Sequence, residues 1–197
     1  MASLQFWFEF ASTYSYPAAM RIAERAAAAD VDVEWRPFLL GPIFQAQGWN
    51  DSPFNVYPVK GRYMWRDLER ICRKEDLPFC RPTRFPRPSL TGARVACLGA
   101  AERWAPAFVR AVYHANFAED REIGTEEVIG TILTGLGLDA RAIITRAQTA
   151  EVKAQLRANT EEAIALGVFG APSFVVGSEL FWGNDRLDDA LAWAKRR

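Results

Sequence analysis

Apolar residues recur at every second position near the start of the chain. Leu4, Phe6, Phe8 and Phe10 are separated by Gln5, Trp7 and Glu9, a period of two that predicts a strand. Ser12 and Thr13 then sit where a helix would be capped, and Pro17 falls in its first turn. Tyr16, Met20, Ala23 and Ala27 follow at spacings of three and four, so that helix is expected to run to about Ala29. Val31, Val33 and Trp35 alternate with Asp32, Glu34 and Arg36, a second strand. Strand, helix, strand in this order implies a parallel pair with a right-handed crossover.

From Pro37 to about Gly61 the chain is rich in Gly, Pro and Asn and reads as a long loop, a kind of segment that is often functional. About a hundred residues without a strand pattern follow. Met64, Leu68 and Ile71 repeat at helical spacing, as do Ala93, Ala96 and Ala100; Val109, Val112 and Tyr113; Val128, Ile129 and Ile132; and Val152, Leu156, Ala163 and Ile164. Breakers separate them at Pro78 to Pro88, Pro106, Gly124, Gly135 to Gly137, and Gly167. Strand character returns at Ser173 to Val176, with a Gly177-Ser178 turn and a partner at Leu180-Phe181-Trp182. Asn184 and Asp185 are expected to open a last helix, on which Leu187, Leu191 and Ala194 share a face. The expected fold class is α/β: one four-stranded mixed sheet, βαβ followed by ββα, with a large all-helical insertion between the halves.

Composition narrows the function classes. Lys+Arg and Asp+Glu both number 24, so nothing advertises nucleic acid or an anionic membrane surface. No apolar run approaches bilayer-spanning length, and the N-terminus shows no leader pattern, so no membrane partner and a cytoplasmic location are expected. The three cysteines, Cys72, Cys80 and Cys97, are odd in number and form no Cys-x-x-Cys. That argues against a disulfide framework or a zinc site, and no metal is expected.

Three segments carry candidate chemistry. Phe10-Ala11-Ser12-Thr13-Tyr14-Ser15-Tyr16 lies at a strand-to-helix junction, where free N–H groups and the helix dipole favour an anion. Thioredoxin-type proteins place Cys-x-x-Cys there; here Ser12 and Ser15 fill both positions. Serine cannot form a disulfide, but its hydroxyl can donate to a thiolate brought by a ligand; equally, Ser12 can be a simple helix cap. In Gly167 to Val176, the Gly170-Ala171-Pro172 step is either a plain turn or holds a cis Ala171–Pro172 bond, with the Ala171 backbone free to pair with a peptide. Asn184 and Asp185 either cap the last helix or hold an amino-acid head group. His114, the sole histidine, has no visible orienting partner and reads as structural or solvent-facing. Arg81, Arg84 and Arg87, interleaved with prolines, read as a solvated loop, with substrate-carboxylate contact as the alternative.

Taken together, these segments resemble the family of 2-hydroxychromene-2-carboxylate isomerases and kappa-class glutathione transferases, in the DsbA-like branch of thioredoxin folds. Phe10 to Tyr16 matches its serine motif, with Thr13 where proline is common; Gly167 to Val176 and Trp182-Gly183-Asn184-Asp185-Arg186-Leu187 match two others. Leu40-Gly41-Pro42-Ile43-Phe44, Gly48-Trp49-Asn50 and Lys60-Gly61-Arg62-Tyr63-Met64 fit as well. The resemblance implies a thioredoxin-like domain from residues 1–60 and 167–197 and a helical insertion over 61–166. It implies glutathione as cofactor, a small aromatic carboxylate as substrate, and a homodimer. By resemblance, Ser12, Asn50 and Lys60 are catalytic, while Ser12, Ala171, Pro172, Asn184 and Asp185 bind glutathione. Asn50 is displaced by one residue from the expected pattern. The implied reaction interconverts 2-hydroxychromene-2-carboxylate and trans-o-hydroxybenzylidenepyruvate. Alternatives are a kappa-like transferase or peroxidase and a non-catalytic glutathione-binding module; the missing Cys-x-x-Cys argues against a disulfide oxidoreductase.

Overall fold

The computed structural model describes residues 2–196. Strand β1 (Ala2–Phe8) leads through helix α1 (Ser15–Ala29) to β2 (Val31–Pro37), parallel to β1 from Ala2 opposite Val31 to Phe8 opposite Pro37. Asp30 ends α1 in the left-handed conformation, its N–H donating to the carbonyls of Ala26 and Ala27. Eight helices follow among the described residues: α2 (Leu40–Ala46), α3 (Pro53–Val56), α4 (Pro58–Lys74), α5 (Leu90–Leu98), α6 (Ala105–Phe117), α7 (Glu126–Gly135), α8 (Ala140–Ala147) and α9 (Ala150–Ala165). The hairpin β3 (Ser173–Val176) and β4 (Glu179–Trp182) then joins the sheet, and α10 (Leu187–Ala194) closes the fold. Strand order is β2-β1-β3-β4, with β3 antiparallel to both neighbours. This is the mixed sheet with a helical insertion that the periodicities predict.

The segment 37–61 differs from its sequence reading, for a physical reason. Its prolines and glycines do not prevent helix there. Pro42 lies in the first turn of α2, and Pro53 and Pro58 open α3 and α4. At these positions a helix needs no donor from the proline nitrogen. Pro106 likewise sits in the first turn of α6 rather than breaking a helix. Ala100 lies beyond α5, and α8 goes unread although Ala140, Ile143, Ile144 and Ala147 share one face against the core. Asn184 and Asp185 form a short 3-10 turn ahead of α10 and give it no side-chain cap.

Both faces of the sheet are covered. Leu4, Phe6 and Phe8 pack with Tyr16, Ile22, Trp35, Tyr113 and Phe174. On the opposite face Trp7, which interrupts the alternation of β1, is fully buried with Phe38, Ile43, Ala163, Val168 and Val175. Phe10 lies past the end of β1 and packs against Phe108 and Tyr113. The N-terminus of α1 is thereby fixed from behind, and the turn from Glu9 to Tyr14 faces a cleft between the sheet end and the helices.

Candidate active site

Ser12 lies in the turn between β1 and α1. Its N–H donates to the Glu9 carbonyl at 2.9 Å, and its hydroxyl donates to the Ala171 carbonyl at 2.8 Å. The same oxygen accepts a long bond, 3.4 Å, from the Ser15 N–H at the first residue of α1. The hydroxyl therefore touches the helix start but is not a simple cap: it spans the cleft to the other half of the sheet. Ser15 is fully buried, and its hydroxyl has no partner among the described residues. Of the two serines in this motif, only Ser12 reaches the cleft.

The Ala171–Pro172 bond is cis, as is Phe85–Pro86. Ala171 presents its carbonyl to Ser12, and its N–H makes no hydrogen bond among the described residues. Behind it, the Gly183 N–H donates to the Pro172 carbonyl at 3.0 Å, tying the end of β4 to this turn. Gly170 has no room for a side chain, because a Cβ there would stand 2.5 Å from the Trp182 Nε1. Trp182 itself packs on Phe169 with centroids 4.8 Å apart.

Ser12 and Ala171 open onto a cavity of about 810 Å³. Its walls are aromatic and apolar: Leu40, Phe44, Trp49, Phe54, Tyr63, Phe85, Phe169 and Trp182. Asn50 and Lys60 also line it, Lys60 from the first turn of α4 and Asn50 from the irregular stretch between α2 and α3. Both residues are exposed, and Lys60 makes no ion pair among the described residues. Trp49 is held edge-on between Phe44 and Tyr57. Pro172, Asn184 and Asp185 lie outside the cavity wall. Asn184 accepts from Arg21 at 2.6 Å through Oδ1, which leaves its NH2 as a donor. The Asp185 side chain is 71% exposed, paired with Arg186 at 3.2 Å. Its charge, with those of Asp67 and Tyr63, adds to burial in raising the pKa of the cavity residue Tyr14, whose phenol donates to Asp67 at 3.0 Å.

Two buried polar residues of the cavity wall, Glu9 and Ser89, escape sequence reasoning. Glu9 is 8% exposed; its Oε2 accepts from the Ala11 N–H at 3.0 Å and its Oε1 from the Ser89 hydroxyl. Burial outweighs those two donors and pushes the carboxyl up to about 7. The available signal was an acidic side chain between Phe8 and Phe10, just past the end of β1. Ser89, far away in the chain, gave none.

The other candidates resolve differently. Arg87 is buried and turned from solvent, bonded to Asn116, Asp120 and Thr83, so it staples the 78–89 segment to the end of α6. Arg81 stacks over Trp65, and Arg84 is exposed near Glu122. His114 is 40% exposed, 3.3 Å from Glu119. Cys72 and Cys97 are buried, with thiols pushed up to about 12; Cys80 is exposed, and none of the three lines the cavity. No helix among the described residues is long and apolar enough to cross a membrane.

A βαβ–ββα sheet, a cis-proline opposite the start of α1, and serines in the redox positions define a thioredoxin-type protein lacking a cysteine pair in its cleft. The family model of the DSBA-like thioredoxin domain matches residues 3–192. The 2-hydroxychromene-2-carboxylate isomerase of Sphingobium xenophagum is 31% identical over 94% of this chain and 94% of its own. Glutathione S-transferase kappa 2 of Caenorhabditis elegans is 25% identical over 93% of this chain and 88% of its own. A solved 2-hydroxychromene-2-carboxylate isomerase superposes with a TM-score of 0.87 at 27% identity, covering 98% of this chain and 95% of the other. The chain belongs to the DSBA-like thioredoxin family, in the branch that holds the 2-hydroxychromene-2-carboxylate isomerases and kappa-class glutathione transferases.

Proposed function

We propose that the protein is a glutathione-dependent isomerase of 2-hydroxychromene-2-carboxylate or a closely related aromatic keto acid. The observation that carries this reading is the Ser12 hydroxyl, set at the start of α1 and opposite the Ala171 backbone, beneath a large aromatic cavity. The chain's donors fit the tripeptide. Ala171 offers an unpaired N–H and a carbonyl with a second lone pair, the groups that an extended peptide takes up as an added strand. Asn184 has its NH2 free for a carboxylate, and Asp185 has an exposed carboxylate for an ammonium.

Glutathione supplies the thiolate, whose reversible addition to the conjugated carbonyl turns a double bond into a rotatable single bond. The Ser12 hydroxyl turns its one proton from the Ala171 carbonyl to that sulfur, and the N-terminus of α1 adds the favourable end of its dipole. The aromatic walls hold the substrate ring by apolar burial. Lys60 and Asn50, on the rim, receive the substrate carboxylate and its developing charge. Because Lys60 pairs with no carboxylate among the described residues, it meets the substrate carboxylate without giving up such a pair.

The test is turnover of 2-hydroxychromene-2-carboxylate followed optically with and without glutathione. Conversion that requires glutathione and leaves it unconsumed supports the isomerase. Stable conjugation of glutathione to an electrophile without isomerisation points instead to a transferase, and glutathione binding with no turnover to a binding module.

A further inference from the structure

Glu9 has no part in the account above, yet it lines the cavity beside the Ser12 turn. Both carboxyl oxygens are held by neutral donors, the Ala11 N–H and the Ser89 hydroxyl. No cation among the described residues pairs with it. Arg87, in the same segment as Ser89, is turned to Asn116 and Asp120 and lies 3.5 Å from Glu122. Tyr113, reaching in from α6, donates its phenol to the Glu9 backbone carbonyl at 2.9 Å rather than to the carboxyl. Arg87 also lines the cavity, its guanidinium engaged as just described, and the remaining charged residues of the wall are Asp51 and Lys60, both exposed.

A buried carboxyl is normally paired with a cation or kept away from ligands. This one has two neutral partners and stands at a cavity built for an aromatic acid. Oxygen lone pairs remain on both carboxyl atoms after the two bonds are counted. With its titration near pH 7, the group can both give and take a proton at neutral pH.

Resting on the isomerase reading, we propose that Glu9 is a further catalytic residue, the acid–base group that opens and closes the chromene ring. In the opening direction the bond from C2 to the ring oxygen breaks, and its electron pair takes the proton of the Glu9 carboxyl, leaving a phenol. The electrons of the C2 hydroxyl O–H bond form the C2 carbonyl, and that proton passes to the Glu9 carboxylate. The carboxyl ends as it began, and neither oxidant nor reductant is needed. The open chain is the species in which the double bond can then rotate.

The experiment combines rate–pH profiles with carbon-13 NMR of labelled glutamate carboxyls, on wild type, Glu9→Gln and Ser89→Ala. Wild type should show an inflection in kcat near pH 7 and one glutamate signal titrating in the same range. Glu9→Gln should lose that signal and the inflection, and should turn over about 100-fold more slowly while keeping its glutathione affinity. Ser89→Ala removes a donor to the ionised form, so both the signal and the inflection should move to higher pH; this arm stands even where Glu9→Gln fails to fold. Glu9→Gln turning over within about twofold of wild type, or a Glu9 signal titrating near the ordinary carboxyl value of 4.5, overturns the role of Glu9 alone. A wild type inert toward the chromene with glutathione present overturns the isomerase reading, and this proposal with it.

Discussion

Ser12 and Ala171 are 159 residues apart in the chain and share a 2.8 Å hydrogen bond across the base of the cleft. Asn50 and Lys60 sit in one contiguous segment on its rim, exposed, their side chains bonded to no described residue. The base is therefore set by long-range structure: Phe10 wedged against Phe108 and Tyr113, the cis Ala171–Pro172 step, and the Gly183 tie to Pro172. The rim is set more locally, by helices joined through aromatic edges, the Asn55 bonds to Asp51 and the Phe85 carbonyl, and a close backbone approach at Gly61, with Ile43 anchoring α2 to the sheet. A donor held in place suits stabilisation of a stored anion, because only the Ser12 proton must turn from the Ala171 carbonyl when the charge arrives. An apolar, lightly held wall suits selection among substrates of similar ring shape. Under the proposed function, one cleft separates chemistry at its base from substrate choice at its rim.

Substitutions on the two sides should separate those roles. The largest effect belongs to the base. Ser12→Ala should cut turnover by about 100-fold, on the scale of losing one positioned donor to an anion. It should lower stability by only about 1 kcal/mol, the net worth of a single hydrogen bond. Steady-state kinetics beside a denaturant melt measure both. Loss of rate in proportion to loss of folded protein would make Ser12 a structural link and erase the contrast.

The rim should respond more mildly and with a different signature. A Cβ on Gly61 of α4 would stand 2.2 Å from the Phe54 carbonyl oxygen of α3, and backbone cannot yield as a side-chain tip does. Gly61→Ala should push α3 off α4, at a cost of about 1–3 kcal/mol. Misplacing Phe54 and its neighbours should lower turnover roughly 10-fold. Glutathione affinity, measured by calorimetry, should stay close to wild type, because the Ala171 and Asp185 regions lie on the other side. A parallel fall in glutathione affinity would show that rim and base act as one unit.

Part of the base was legible from residues alone. The period of two in β1 and the helical spacing of α1 put Ser12 at a strand-to-helix junction, while the Gly-x-Pro step before β3 left a plain turn and a cis bond both open; only the family resemblance joined Ser12 and Ala171 into one site. The rim was not. Pro42, Pro53 and Pro58 read as loop signals but occupy first-turn positions, where proline is compatible with helix. Asn184 and Asp185 read either as caps or as head-group residues; the cap reading falls because α10 begins only at Leu187, with Asn184 held by Arg21 and Asp185 exposed. Glu9 was missed because burial of a polar residue past a strand end depends on what packs over it. Here that is Ser89, brought in by the fold from a segment with no pattern of its own.

The central claim is that the Ser12 base stores glutathione as thiolate. Titrating the ultraviolet thiolate absorbance of bound glutathione against pH, in wild type and Ser12→Ala, tests it most directly. The account predicts a bound thiol pKa below the free value of about 8.5 in wild type and a shift back toward it in Ser12→Ala. A bound thiol titrating at the free value in wild type, or at the same pH in both proteins, would contradict it.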